Sequence, residues 1–189
     1  MTLQITWIAH GATAATRRAA FPADEPLEDK ARAKAGRLAG TLGRADRVLV
    51  APERRARETA DALGLAGVSD RELRDCDHGR WAGRPLAELE AEAPAALTAW
   101  LTQLSANPHG GESIADLIRR VAVWCDSPDR GEGRLLAITH PAVMRAALVH
   151  ALGASPTTYW RIDVAPLSRL ILSRQGISWR LQALEKLAP

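Results

Sequence analysis

A chain of 189 residues with 47% hydrophobic and 25% charged side chains has the size and apolar content for one substantial core, which excludes a disordered or fibrous class. The net charge is only +3, Lys30, Lys34 and Lys186 are the only lysines, and the arginines are spread without an aromatic-interleaved basic stripe, so nucleic acid is not an expected partner. Cys76 and Cys125 lie too far apart for a disulfide framework or a metal knuckle, and no apolar run approaches the ~20 residues that cross a bilayer; a soluble cytoplasmic protein with no membrane partner is expected.

The first element is an apolar, β-prone run from Leu3 to Ile8 that breaks at His10-Gly11. A long connection, Ala12 to Pro26, follows, and loops of that length are often functional. Glu28 to Leu42 reads as a helix, with Ala31, Ala35, Leu38, Ala39 and Leu42 on one face and Gly43 as its stop. Asp46 to Val50 is a short strand, and Ala51-Pro52 leads into a helix over Glu53–Leu63. Val68 to Leu73 fits an edge strand, and Asp75 to Trp81 a loop. Helices are expected over Pro85–Glu92 and Ala95–Leu104, the first opened by its proline. After the breaker Asn107-Pro108-His109-Gly110-Gly111, Ser113 can cap a helix with Asp116 three residues on. Ile114, Leu117, Ile118, Val121 and Cys125 form that helix's buried face, with Trp124 at its flank. Arg134 to Thr139 is a second apolar strand ending in a histidine, His140; Ala142–Leu152 is helical with Gly153 as stop. Ser168–Ser173 and Ile177–Ala183 read as a terminal hairpin.

Strands alternating with helices imply an α/β fold, a three-layer sandwich with a mainly parallel central sheet flanked by helices. Residues 1–189 are expected to form a single domain, with residues 75–113 as a small helical and loop insertion. In a parallel sheet the carboxyl strand ends share one side, so His10, the Arg54/Arg55 pair and His140 are expected to converge. Two imidazoles and a guanidinium suit phosphoryl transfer: a neutral histidine attacks phosphorus while cationic groups hold the equatorial oxygens. That arrangement requires no metal and no cofactor. Cys76-Asp77-His78 lacks a second ligand cluster at zinc spacing, and neither a Gly-x-Ser-x-Gly elbow nor a dinucleotide glycine fingerprint is present.

In these residues the chain resembles the histidine phosphatase superfamily, also called the phosphoglycerate mutase-like family. Ile8-Ala9-His10-Gly11-Ala12-Thr13 is similar to its Arg-His-Gly signature, and Ala51 to Ala60 to its Ser-Pro-x-x-Arg-Ala-x-x-Thr-Ala segment. Leu73 to Gly83 resembles its Leu-Arg-Glu-x-x-Phe-Gly-x-Trp-Glu-Gly element; Gly110-Gly111-Glu112-Ser113 and Thr139-His140 complete the set. The resemblance implies that His10 is the nucleophile that becomes a phosphohistidine, and that Arg55 and His140 bind the phosphoryl oxygens. Asp75 would protonate the leaving oxygen from a side chain one methylene shorter than the family's glutamate. Gly11 would allow close backbone approach, and Thr16 falls where many members have a phosphate-contacting asparagine. The departure is Ala9, where the signature arginine is absent; Arg17 or Arg18 is expected to supply the missing charge. The implied function is a phosphatase acting on a small phosphorylated metabolite. The second reading is a catalytically impaired member that binds a phosphorylated ligand or a protein partner. Substrate identity and oligomeric state are left open. His78, His109 and His150 are expected to be structural, and Trp81, Trp100, Trp124 and Trp160 to pack in the core or cap.

Overall fold

The computed structural model describes residues 2–188. These form a six-stranded sheet whose order follows from the two histidine-ended strands at its centre. β1 (Thr2–Ala9) buries Leu3, Ile5, Trp7 and Ala9 at alternate positions, the period of a strand with one face on the core. β4 (Gly133–Thr139) runs parallel beside it in a register that ends with Ala9 opposite Thr139. That register sets His10 next to His140, and the His10 N–H continues the ladder to Thr139 O at 2.9 Å.

On the other side of β4 lies β2 (Arg47–Val50), with Val50 opposite Ile138, so residues 51–55 leave the sheet at the same edge as the two histidines. β3 (Val68–Ser69) extends the parallel half, while β5 (Ser168–Gln175) and β6 (Ser178–Lys186) form the expected antiparallel hairpin on β1. The full order is β3-β2-β4-β1-β5-β6. Parallel neighbours need crossover connections. These are supplied by α2 (Asp29–Arg37), α3 (Arg54–Ala62) and α6 (Ile114–Asp126), while α7 (Pro141–Ala151) carries the chain from β4 to the antiparallel β5. α2 packs with α3, and α6 with α7.

Several elements differ from the sequence expectation for local reasons. The connection 12–26 is not featureless: Thr13 opens a one-turn helix, α1 (Ala14–Arg17), through a reciprocal capping box with Thr16. α2 stops four residues after Ala33 rather than at Leu42, because Leu38 turns into the core and Gly40 takes a left-handed conformation (φ +77°) that carries the chain away. The edge strand is cut to two residues because the Asp70 carboxylate accepts the Glu72 N–H at 3.0 Å and winds residues 71–73 into a 3₁₀ turn. Trp124 is not a flank residue but is buried, its ring 5.0 Å from that of Trp7. The Ser113 cap is as expected, its hydroxyl accepting the Asp116 N–H at 3.1 Å.

Residues 75–113 carry α4 (Leu86–Glu92) and α5 (Pro94–Thr102) and lean on the 12–26 connection rather than on the sheet. Phe21 is the hinge of that contact. Its N–H donates to Arg84 O, its carbonyl accepts from Gly83, and its ring meets Trp81 and Trp100 at 5.3 and 5.2 Å.

Candidate active site

His10 sits just past the end of β1, nearly buried. Its Nδ1 lies 2.7 Å from the Gly11 carbonyl, which can only accept, so Nδ1 carries the proton and Nε2 keeps its lone pair. Burial, with the neighbouring His140 and Arg55, holds the ring pKa down to about 3, and the Gly11 bond offsets this only in part. At neutral pH His10 is therefore an uncharged imidazole of fixed tautomer, the form a nucleophile needs.

The remaining predicted groups converge from three other junctions. Arg55, in the first turn of α3, is buried; its Nη2 donates to Asp75 Oδ2 at 2.7 Å and its Nη1 to the Ala23 carbonyl. Asp75 takes a second donor on its other oxygen, the Cys76 N–H at 2.8 Å. Burial alone would raise the Asp75 carboxyl, but His140, Arg55 and His78 outweigh it and hold the group below the ordinary carboxylate range. His140 caps α7, and its ring stands edge-on to that of His10 at 5.2 Å between centroids. Its Nδ1 is 3.4 Å from Asp75 Oδ2 without a hydrogen bond.

Two groups the sequence reading passed over hold this set in place. Glu53 bonds His140 Nε2 through Oε2 at 2.8 Å and accepts the Asp75 N–H on Oε1 at 3.0 Å, so one carboxylate holds both the His140 ring and the Asp75 backbone. Burial opposes its ionisation, but the His140 bond and the Asp75 N–H bring its pKa below the usual glutamate value. Arg120, on α6, grips Glu112 with Nε and Nη2 at 2.8 Å each. It also donates to the backbone carbonyls of Glu72 and Asp75, tying the Gly-Gly-Glu-Ser stretch to the loop that carries the acid. Glu53 was visible as an acid two residues before Arg55 at the same strand end. Arg120 carried no comparable signal, because its partners come from distant segments.

Other expectations fare differently. The Gly11 N–H is taken by Thr59 Oγ1 at 3.0 Å, and the close approach that glycine permits is to Leu27 and Ala31 of the neighbouring layer, where a Cβ would sit 3.2–3.3 Å away. Thr16 lines the site cavity, with its hydroxyl shared with Thr13. Arg17 does not come to the cavity: on a short, exposed turn, its Nε pairs with Glu28 at 2.7 Å. Arg18 is exposed and likewise off the cavity wall, and Arg54 pairs with Glu58 at the surface. Ala9 is wholly buried on the same face of β1 as Trp7, and neither loop arginine lines the cavity.

The cavity itself is about 510 Å³. His10, Asp75 and Thr16 reach it, the aromatic side chains of Phe21, Trp100, Tyr159 and Trp160 wall it, and Arg145 of α7 brings a guanidinium to it. His78 also lines it, its pKa lowered chiefly by burial, its ring edge-on to Phe21 at 4.9 Å; His109 lies beside it and, as expected, neither bonds a catalytic candidate. Among the described residues, no group of three His, Cys, Asp or Glu side chains is placed to hold a metal ion, and no helix is long and apolar enough to cross a membrane.

A profile of the histidine phosphatase superfamily (branch 1) matches residues 5–186. The chain is 31% identical over 163 residues to glucosyl-3-phosphoglycerate phosphatase of Mycobacterium tuberculosis, covering 72% of this chain and 73% of that one. It is 26% identical over 150 residues to phosphoserine phosphatase 1 of Hydrogenobacter thermophilus, covering 72% and 69%. Among solved structures, mycobacterial glucosyl-3-phosphoglycerate phosphatase in complex with VO3 superposes with a TM-score of 0.84 at 25% identity, over 98% of this chain and 100% of that one.

Proposed function

The chain belongs to the histidine phosphatase superfamily, branch 1, and is a phosphatase; on that premise we propose that it hydrolyses a small phosphomonoester through a phosphohistidine on His10. The observation that carries this reading is the His10 Nδ1–Gly11 carbonyl bond in a buried, uncharged ring, which leaves Nε2 as the nucleophile. Nε2 attacks phosphorus as the P–O bond to the alcohol breaks, and the departing oxygen takes a proton from Asp75. Water then attacks the phosphohistidine, giving its proton to Asp75, and the P–N bond breaks to release inorganic phosphate and free His10.

Asp75 must hold a proton to act first as acid, yet in the resting site it is ionised against Arg55. An arriving phosphate competes for Arg55. As the guanidinium turns to the phosphoryl oxygens, Asp75 loses one of its counter-charges beside a new anion, and burial then favours its protonated form. Substrate binding thus arms the acid. The relatives are named for glucosyl-3-phosphoglycerate and phosphoserine, which supports a small phosphorylated metabolite as the substrate class here.

The test is His10-dependent release of phosphate from 4-nitrophenyl phosphate and a panel of phosphometabolites, with trapping of an acid-labile phosphoryl group on the enzyme. Absence of any release that His10→Ala abolishes would refute the reading. The buried methyl of Ala9, with Arg55 and His140 already engaged by carboxylates, favours the second reading of a ligand-binding member without turnover. That reading predicts calorimetric binding of a phosphometabolite with no hydrolysis, and a His10-dependent steady-state rate eliminates it.

A further inference from the structure

Arg145 has no part in the chemistry derived above, yet it is set beside it. α7 begins at Pro141, directly after His140, and Pro141, Ala142 and Arg145 all line the cavity. Their spacing puts them on one helical face, with Arg145 about 6 Å along the axis from Pro141. The face that starts at the phosphoryl-binding histidine therefore ends, one turn later, in a guanidinium.

That guanidinium is unusual in what it lacks. The other arginines shielded from solvent each have a carboxylate: Arg55 has Asp75, Arg120 has Glu112 and Arg130 has Asp70. Among the described residues no carboxylate lies within ion-pair distance of Arg145, and its Nε is buried without a hydrogen-bond partner. Its Cζ lies 5.8 Å from the ring centre of Tyr159, itself buried and part of the same wall. The guanidinium also hydrogen-bonds the Tyr159 side chain, a neutral partner that orients the cation without neutralising it, and one hydroxyl leaves other N–H groups of the fork for an acceptor. Tyr159 packs on Trp160 and Trp160 on Trp100, so the position is held by a chain of ring contacts rather than by a mobile loop.

One unpaired arginine in a largely apolar cavity, a helical turn from the reacting centre, is matched by one negative charge on the group that leaves. We infer that Arg145 is a specificity-determining residue that binds a carboxylate on the alcohol portion of the substrate, so that the preferred substrates are phosphomonoesters of small hydroxy acids. A planar carboxylate accepts two parallel N–H bonds from the guanidinium fork, and its single charge leaves no second anion unmatched.

This inference rests on the phosphatase reading, and its test separates the two. 3-Phosphoglycerate and glycerol 3-phosphate carry the same phosphate ester and differ at a carboxylate against a hydroxymethyl group. The readout is the ratio of their kcat/KM values within each protein, which cancels any loss of folded enzyme. The wild type should favour 3-phosphoglycerate. Arg145→Met should lower the ratio by about tenfold or more, the range of a charge-assisted pair, and Arg145→Lys should keep part of it. A wild-type ratio at or below one, or an unchanged ratio in Arg145→Met, overturns the inference while leaving the phosphatase reading intact. If the wild type hydrolyses neither compound but does hydrolyse 4-nitrophenyl phosphate, the inference is overturned and the phosphatase reading stands; if it hydrolyses none of the three, the phosphatase reading fails and the same comparison is made by calorimetry. A preference for 3-phosphoglycerate that Arg145→Met removes then upholds the subsite, and equal affinity, or no binding of either compound, refutes it.

Discussion

Replacing Asp75 by asparagine separates its two roles, because the carboxylate receives a different donor on each oxygen. Oδ2 takes Arg55 Nη2 and Oδ1 takes the Cys76 N–H. An amide of the same shape has one acceptor, so either arrangement sets an NH2 group against a buried donor. Arg55 is 2% exposed in its side chain and keeps only the Ala23 carbonyl. Breaking a buried pair on one side costs about 3–5 kcal/mol, and the Ala23 bond places the loss near the lower end. At roughly 2–4 °C per kcal/mol for a chain of this size, the melting temperature should fall by about 6–12 °C. The catalytic loss has a different signature. A general acid matters in proportion to how poor the leaving group is, so Asp75→Asn should lower kcat/KM, which reports phosphorylation and not the later water attack, by about 10²–10⁴ on an alkyl phosphomonoester. On 4-nitrophenyl phosphate, whose phenolate needs no proton, it should fall much less. The assay is steady-state kinetics on both substrates below the variant's melting point, beside a thermal scan. An equal fall on both would refute Asp75 as proton donor, and an unchanged melting temperature would refute the energetic role of the Arg55 pair.

Glu53→Gln should lower kcat/KM by about 10–100-fold on any substrate, since it removes a charge-assisted bond that orients His140; a value within twofold of wild type refutes that role. His10 has a folded pKa of about 3 against 6.5 ordinarily, so between those values the unfolded chain binds a proton that the folded chain does not, and acidification costs stability. Urea unfolding of His10→Asn between pH 6.5 and 4.5 should therefore lose up to about 1.4 kcal/mol less per pH unit than wild type, and parallel slopes contradict the buried neutral ring. At Gly111 a Cβ would collide with the Asp77 carbonyl, so Gly111→Ala should lower the melting temperature by several degrees. Gly36→Ala, within α2 where the nearest outside atom would lie 3.8 Å away, should cost far less, and equal shifts would deny the close approach. Arg17→Ala and Arg18→Ala should each leave kcat/KM within twofold, and a larger loss from either would return the phosphate-binding role to that loop.

The parts of this molecule that could be read from sequence are those written in local periodicity. β1 and β4 show as apolar runs that break at a histidine, and α6 shows as a capped amphipathic stretch; both signals survive because burial and capping act on neighbours in the chain. The convergence of His10, Arg55 and His140 also followed, since parallel strands order their carboxyl ends on one side, whereas Arg54 turned to the surface and Asp75 was placed only by the family resemblance. What could not be read is pairing across the fold. Nothing local distinguishes Arg17, an exposed partner of Glu28, from Arg145, an unpaired cation on the cavity wall, and nothing in residues 68–73 outweighed their β-prone look until the Asp70 cap was seen. The same limit hid Glu53, whose bonds run to residues 22 and 87 positions away, and Arg120, whose backbone partners lie 45 and 48 positions away.

The charge balance of the resting site carries one further consequence. Arg55 is closed on Asp75, His140 on Glu53, and residue 9 contributes a methyl group. A phosphate arriving alone must break the Arg55–Asp75 pair and meets two carboxylates, with no signature arginine to offset them. By analogy with oxyanion-hole variants, the absent donor is worth on the order of 10²–10³ in rate. Binding energy from a remote part of the substrate can then drive the rearrangement that the phosphoryl group cannot drive by itself. Inorganic phosphate, which has no remote part, should accordingly be a weak product inhibitor, with an inhibition constant of about 1 mM or higher, near 4 kcal/mol of binding. Competition against a phosphomonoester measures it directly. An inhibition constant in the low micromolar range would mean that the phosphate cradle is complete without an arginine at residue 9, and that the remote contact is not what opens the Arg55–Asp75 pair.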